Sequence, residues 1–263
     1  MKIGRLRERV ISVVHRGHCL RSIESSLYES PESIGGKKPV VVFLPAGLKC
    51  SAGPGRIFVG YARALAEEGF ICYRFDPHGI GNSDGELAPG STRELWSRIE
   101  QGCFIDDLAV FAAQVRRQNP GRKIVVCGLC GGAVTAALFA GRHGALVDGV
   151  VSINIEPFLS AVTPSSSADK TSNEINMVMR RYAVKLFSPA AWARLLSLES
   201  DVKGILHSSK LFLLQRLRRG KRGMDEFENI NRSLVEALRR MGQEGIRHLL
   251  LFSEHSSCWH KFQ

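Results

Sequence analysis

Near the middle of the chain, Val125-Val126-Cys127-Gly128-Leu129-Cys130-Gly131-Gly132-Ala133 combines two thiols, three glycines and an apolar run. The spacing is G-x-C-x-G, with a strand-like run before it and a helix-like run after it. A nucleophile raised on a sharp strand-to-helix turn has this pattern, with Cys where Ser is usual. Small residues at 128 and 132 let the strand and the helix approach closely. The helix N-terminus then offers unpaired N–H groups and the positive end of the helix dipole, and both favour a thiolate at Cys130. The N–H of Gly131 points into the same space and is a candidate oxyanion donor. A second donor is expected from the turn Phe43-Leu-Pro-Ala-Gly47-Leu48: the N–H of Leu48, with Gly47 beside the substrate.

The same residues also spell Cys127-Gly-Leu-Cys130, the spacing of a dithiol redox site. Position argues against that alternative, because Cys127 closes an apolar strand, where cysteine serves as a small hydrophobe. No second Cys/His pair has zinc-ligand spacing, so neither a metal nor an organic cofactor is expected. A third glycine-rich stretch, Arg74-Phe-Asp76-Pro-His78-Gly79-Ile-Gly81-Asn-Ser83-Asp-Gly85, follows another apolar strand. His78 is a candidate to face the substrate or, alternatively, a structural or surface histidine. Ser83 or Asp84 could cap a short helix there.

These turns need a scaffold. Residues 6–29 read as two strands around Arg16-Gly17-His18. Val40 to Leu44 is a continuous apolar run, as in a strand buried on both faces. The pattern predicts a helix over 58–68, strands over 70–75, 123–127 and 147–155, and helices over 103–118 and 131–142. Strand and helix alternate as in a mostly parallel sheet covered by helices. Ligands bind such sheets at the carboxyl ends of the strands, where all three turns lie. From Pro157 to Gly245 the alternation gives way to helical patterns, read as a cap, and a strand resumes at 246–252. The expected organisation is a first core part at 1–156, a helical cap at 157–245 and a returning core strand with the start of a loop at 246–263.

Composition narrows the function classes. With 263 residues, 44% hydrophobic and 23% charged, the chain is neither disordered nor collagen-like nor a coiled coil. No apolar run reaches the ~18 residues that a membrane-spanning helix needs. The basic N-terminus has no signal-peptide cleavage site. Seven scattered cysteines, an odd number, suit a reducing compartment and a cytoplasmic location. The net charge of +11 is uneven: residues 1–22 carry +5, 23–156 carry −1 and 157–245 carry +6. Within the last segment, Arg216, Arg218, Arg219, Lys221 and Arg222 follow the apolar run Leu211-Phe-Leu-Leu. That pairing suits an acyl substrate on an anionic carrier or lipid, with peripheral membrane contact; no nucleic-acid partner is expected.

The order of elements, the G-L-C-G-G elbow, the Ala46-Gly47 turn, the F-D-P-H-G-I-G-N-S-D-G loop and the helical insertion resemble the α/β-hydrolase superfamily. Within it the chain is similar to the hydrolases found with exosortase and exopolysaccharide gene clusters, of the serine-aminopeptidase-like branch. The segment YAVKLFSPAAWARLLSLESDVKGIL is similar to the cap of that group. The resemblance implies a triad of residue 130, an acid and a histidine. In the superfamily the strand 246–252 is followed by a turn bearing the acid. Here that turn is Ser253-Glu254-His255-Ser256, with Ser at the position of the Asp. Glu254 or Glu156 is then the candidate acid, and His255 or His260 the candidate base. Because no residue occupies the usual histidine position, the resemblance also implies that a last strand and helix are missing. The expectation is a hydrolase or acyl transferase acting on an ester, thioester or lactone through Cys130. The alternatives are an inactive hydrolase-fold remnant that binds a ligand and, behind it, the dithiol protein.

Overall fold

The leading edge of the molecule is a hairpin of Leu6–His15 (β1) and His18–Leu27 (β2). Its two turn residues, Arg16 and Gly17, both take positive φ, 50° and 80°. Such a two-residue turn matches the right-handed twist of the strands it joins. The computed structural model describes residues 5–28, 38–159 and 230–253.

Val40–Leu44 (β3), Ile71–Asp76 (β4), Ile124–Leu129 (β5), Gly149–Ile153 (β6) and Arg247–Leu251 (β7) complete the sheet. Among the described residues its order is β1-β2-β4-β3-β5-β6-β7. β4, β3, β5, β6 and β7 run parallel, and β2 joins β4 antiparallel. This is the mostly parallel α/β sheet that the alternation predicted. Every residue of β3 is buried, and its side chains divide between the two faces by the period of two. Val40, Val42 and Leu44 enter the larger core with Phe75, Phe111, Ile124 and Val126. Val41 and Phe43 enter the smaller one with Phe58, Ala62, Cys72 and Cys127.

Ile57–Glu67 (α1) covers the second face. Ile105–Gln118 (α3) and Gly131–Arg142 (α4) cover the first. All of Gly131–Gly141 is buried, because α4 is sandwiched between the sheet and other helices. Phe75 of β4 stacks on Phe111 of α3 at 4.4 Å between ring centroids.

Two elements differ from expectation. Thr92–Glu100 (α2) is a helix that the apolar pattern does not announce. It is short and rich in charge, and its sequence signal lies at its start. The Ser91 side chain accepts from the Glu94 N–H while the Glu94 carboxylate accepts from the Ser91 N–H, a reciprocal cap. Arg232–Gln243 (α5), read above as part of the cap, docks on α4. Gly141 permits this: a Cβ there would lie 2.5 Å from the Cα of Ala237. Asn231 caps α5 through the Leu234 N–H, and its Nδ2 donates to the Glu100 carbonyl, tying α5 to α2. The described residues all belong to one unit, 1–160 with 230–263. The rest of the expected cap, with the basic segment 216–222, lies outside the described residues. No helix among the described residues is long and apolar enough to cross a membrane.

β7 carries a titratable group into the sheet. His248 Nε2 lies 2.9 Å from the Oγ of Ser152, which is fully buried on β6. Burial pulls the imidazole below its ordinary value. The fold therefore holds His248 neutral, whereas the unfolded chain takes up a proton below about pH 6.5. Stability is full above that pH and falls as the pH drops towards the folded pKa. His248→Gln keeps a hydrogen-bond partner for Ser152 and removes the titration. The variant is expected to lose less melting temperature than the parent between about pH 7 and pH 5. Equal losses in the two proteins would show that His248 does not titrate in this way.

Candidate active site

β5 ends in the turn that carries Cys130. Its backbone has φ 52° and ψ −117°, far from helix or strand and rare for any residue other than glycine. The surroundings hold it there. The Cys130 N–H donates to the Ile153 carbonyl at 2.9 Å, and its carbonyl accepts from Ala133 and Val134 at 2.9 and 3.2 Å. Two glycines make the turn sterically feasible. A Cβ on Gly128 would collide with the Gly132 carbonyl group and with the Ala133 nitrogen. A Cβ on Gly132 would collide with the Pro45 carbonyl oxygen. The strand-to-helix elbow expected from G-x-C-x-G is present, with half-buried Cys130 at the N-cap of α4.

The turn after β3 meets the elbow. Gly47 has φ 65°, and its N–H donates back to the Pro45 carbonyl at 3.0 Å. The Lys49 N–H turns to the Ala46 carbonyl. Between them, the Leu48 N–H has no acceptor among the described residues. The Gly131 N–H lies in the first turn of α4, where helix geometry supplies no acceptor. Gly47 and Gly131 are neighbours: a Cβ on Gly131 would lie 3.2 Å from the Gly47 Cα. The Leu48 side chain packs with Ile80, Ile99 and Phe104.

Asp76, at the end of β4, ties this turn to the next one. Its Oδ1 accepts from the Ser51 N–H at 2.6 Å and its Oδ2 from the Asn82 N–H at 3.1 Å. Asp76 is 1% exposed, and burial pushes its carboxyl above the ordinary value against the pull of those N–H donors. Ser83 and Asp84 do not cap a helix. The Ser83 Oγ accepts from the Arg21 N–H, and Asp84 pairs with the Arg21 guanidinium, so both moor the loop to β2. His78 is bound to α3: its Nδ1 lies 2.6 Å from the Asp107 Oδ2, which also accepts the His78 N–H at 3.0 Å. Its ring edge rests against Phe104.

Cys127 lies in the α1-side core at 5% exposure, and burial pushes its thiol up to about 12. A dithiol exchange pair needs an accessible thiolate, and Cys127 does not offer one. Among the described residues no cluster of His, Cys, Asp or Glu suits a metal ion. Ser253, after β7, donates its N–H to the Asn154 Oδ1 at 2.9 Å, and Asn154 in turn has φ 48°. Glu156 lies just beyond, half-buried, with Oε1 3.4 Å from the Phe158 nitrogen. Glu254, His255 and His260 lie outside the described residues.

Sequence reading missed Trp96. It sits on α2, half-buried, with its ring against both glycines of the site. A Cβ on Gly131 would lie 2.7 Å from the Trp96 Cζ3, and one on Gly47 would lie 2.8 Å from Cζ2. The Ser91-x-x-Glu94 cap was the signal that could have revealed the helix carrying it.

Among solved structures, the chain is similar to DcsB, seen in complex with its substrate analogue. The identity is 18%, over 67% of this chain and 54% of that one, with a TM-score of 0.45. It is also similar to Est1E from Butyrivibrio proteoclasticus, with bound ferulic acid, at 16% identity over 55% of this chain and 52% of that one, TM-score 0.43. A lidless α/β serine hydrolase from Xanthomonas campestris shows 22% identity over 62% and 65%, TM-score 0.41. The chain thus spans between about half and two thirds of the length of these proteins. No curated protein matches it. The family model described as serine aminopeptidase, S33, matches residues 42–202, a stretch that runs from β3 through the elbow and covers more than half of the chain. The chain belongs to this family of α/β hydrolases.

Proposed function

We propose that the protein is a hydrolase or acyl transferase that takes an acyl group from an ester, thioester or lactone onto Cys130. The observation that carries this reading is the backbone of Cys130, held at φ 52° and ψ −117° where strand meets helix. Strain of this kind costs about 1–3 kcal/mol and persists where its surroundings over-determine it, most often at functional sites. In the proposed step the Cys130 thiolate attacks the carbonyl carbon, and the carbonyl electron pair moves to oxygen. The N–H groups of Leu48 and Gly131 hold that oxyanion. Its collapse expels the alkoxide or thiolate, which takes a proton, and leaves a thioester on Cys130. Water or another acceptor then attacks the thioester and restores the thiol.

A histidine and an acid serve the proton transfers in this scheme, with His255 or His260 and Glu254 or Glu156 as the candidates. The branch associated with exosortase and exopolysaccharide clusters is the reading that the sequence of residues 182–206 supports. The cations of 216–222 beside the apolar run 211–214 support an anionic amphiphile as acyl donor.

The test is single-turnover acylation of the full chain by p-nitrophenyl acetate near pH 9, where an ordinary thiol ionises without help from a base. The expected result is a burst of one p-nitrophenolate per chain, with the acetyl group mapped by mass spectrometry to Cys130 ahead of Cys19, Cys50, Cys103 and Cys258. Acetyl on those thiols with Cys130 unmodified would overturn the reading and leave the non-catalytic, ligand-binding fold as the better one.

A further inference from the structure

We infer that Trp96 is the positioning residue of the oxyanion hole, its indole forming the wall that holds the Leu48 and Gly131 N–H groups in place. The inference rests on the acyl-transfer reading of Cys130. The two donors come from separate segments, the turn after β3 and the first turn of α4, so something must set their spacing. Backbone bonds fix each segment internally: Gly47 to Pro45 in one, Ala133 and Val134 to Cys130 in the other. No hydrogen bond between described residues joins the Gly47-Leu48 step to the Gly131 step. Trp96 touches both. Its six-membered ring fills the space on the Cβ side of Gly47 and of Gly131: Cη2 meets the first of those carbon positions, and Cζ3 lies 2.7 Å from the second. Leu48 itself packs in the same cluster as Trp96, with Ile99 and Phe104.

The ring is fixed in turn. α2 is capped at Ser91 and anchored at Glu100, whose carbonyl accepts from the buried Asn231. An aromatic ring is a stiff spacer with few rotatable bonds, and its packing transmits displacement. Glycine at 47 and at 131 is therefore the complement of a large residue at 96. Without the ring, the Leu48 turn loses the side chain that packs on both it and the first turn of α4. Donors aimed at a developing oxyanion act through pre-organisation, and removing one such donor lowers rates by roughly 10²–10³-fold.

Two reactions of the same thiol separate this inference from the reading beneath it. Alkylation of Cys130 by iodoacetamide displaces iodide at carbon and forms no oxyanion. Acylation by p-nitrophenyl acetate passes through one. Both rates are measured at Cys130 by peptide mapping, in the parent, Trp96→Ala and Trp96→Phe, on protein that retains a cooperative melting transition. In Trp96→Ala the ratio of acylation to alkylation is expected to fall about 10²-fold, while alkylation stays within about twofold of the parent. Trp96→Phe, which keeps a ring against both glycines, should recover part of the ratio, to within about three- to tenfold of the parent. If Trp96→Ala has no melting transition, Trp96→Phe alone decides, with an expected loss of about three- to tenfold in the ratio. A folded variant with the parent's ratio and only a lowered melting temperature reduces Trp96 to a packing residue. A parent whose Cys130 is alkylated but never acylated overturns the acyl-transfer reading itself.

Discussion

Cys130→Ala and Cys130→Gly are both expected to abolish acylation, by at least about 10³-fold, yet to differ in stability. Removing the thiol removes the nucleophile, and the remaining thiols lack the elbow. Cys72 and Cys127 are buried, with thiols pushed up to about 12, so neither can substitute. The two variants differ in the backbone. Alanine keeps a Cβ in a conformation of φ 52° and ψ −117°, and glycine does not. Relief of that strain is worth about 1–3 kcal/mol, offset by the larger unfolded-state entropy of glycine, about 0.4–1 kcal/mol. Cys130→Gly should thus be about 1 kcal/mol more stable than Cys130→Ala in urea or thermal unfolding. The combination would show a residue kept in a costly geometry for its chemistry. Equal stabilities would mean that the strain in the turn is no larger than the entropy cost of glycine, and an active Cys130→Ala would remove Cys130 from the mechanism altogether.

The parts of this site legible in the sequence are those built by local chemistry. The apolar run of β3, rich in β-branched residues, reads as a strand buried on both faces. The glycines flanking Cys130 could only serve a close strand–helix approach. What escaped depends on which surfaces meet. α2 reads as Thr-Arg-Glu-Leu-Trp-Ser-Arg-Ile-Glu, with too many charges for its length to stand out, although its Ser91–Glu94 cap was visible. Trp96 has no motif around it, and its role exists only because the fold brings Gly47 and Gly131 to one ring. The 3.6-residue period of α5 announces an amphipathic helix equally well in a cap or against α4. Gly141 opposite Ala237 decides the matter, and nothing in either segment names the other. Asp76 illustrates the same limit from the side of charge. A carboxylate closing a strand suggests catalysis, yet it bonds the Ser51 and Asn82 N–H groups and serves to fix two loops. His78, too, binds Asp107 on α3, a partner 29 residues away.

Gly128→Ala is expected to destabilise the protein by about 3 kcal/mol, the upper end for overpacking a tight site. The added methyl meets the carbonyl carbon and oxygen of Gly132 and the nitrogen of Ala133. These are backbone atoms in the first turn of a buried helix, so no side chain can rotate aside. Relief requires α4 to lift from β5. That lift would break the bonds from Ala133 and Val134 to the Cys130 carbonyl and loosen the packing of Val134 and Phe139 beneath. Gly60→Ala provides the opposite sign within one residue type. Gly60 lies in the interior of α1 with nothing within 4 Å of its would-be Cβ, so alanine there should stabilise by about 0.5–1 kcal/mol. Thermal or urea unfolding of the two variants beside the parent measures both. A Gly128→Ala protein that melts with the parent would mean that β5 and α4 are further apart than the elbow requires. The positive φ of Cys130, which exists only because the chain must reverse within that narrow gap, would then lose its cause.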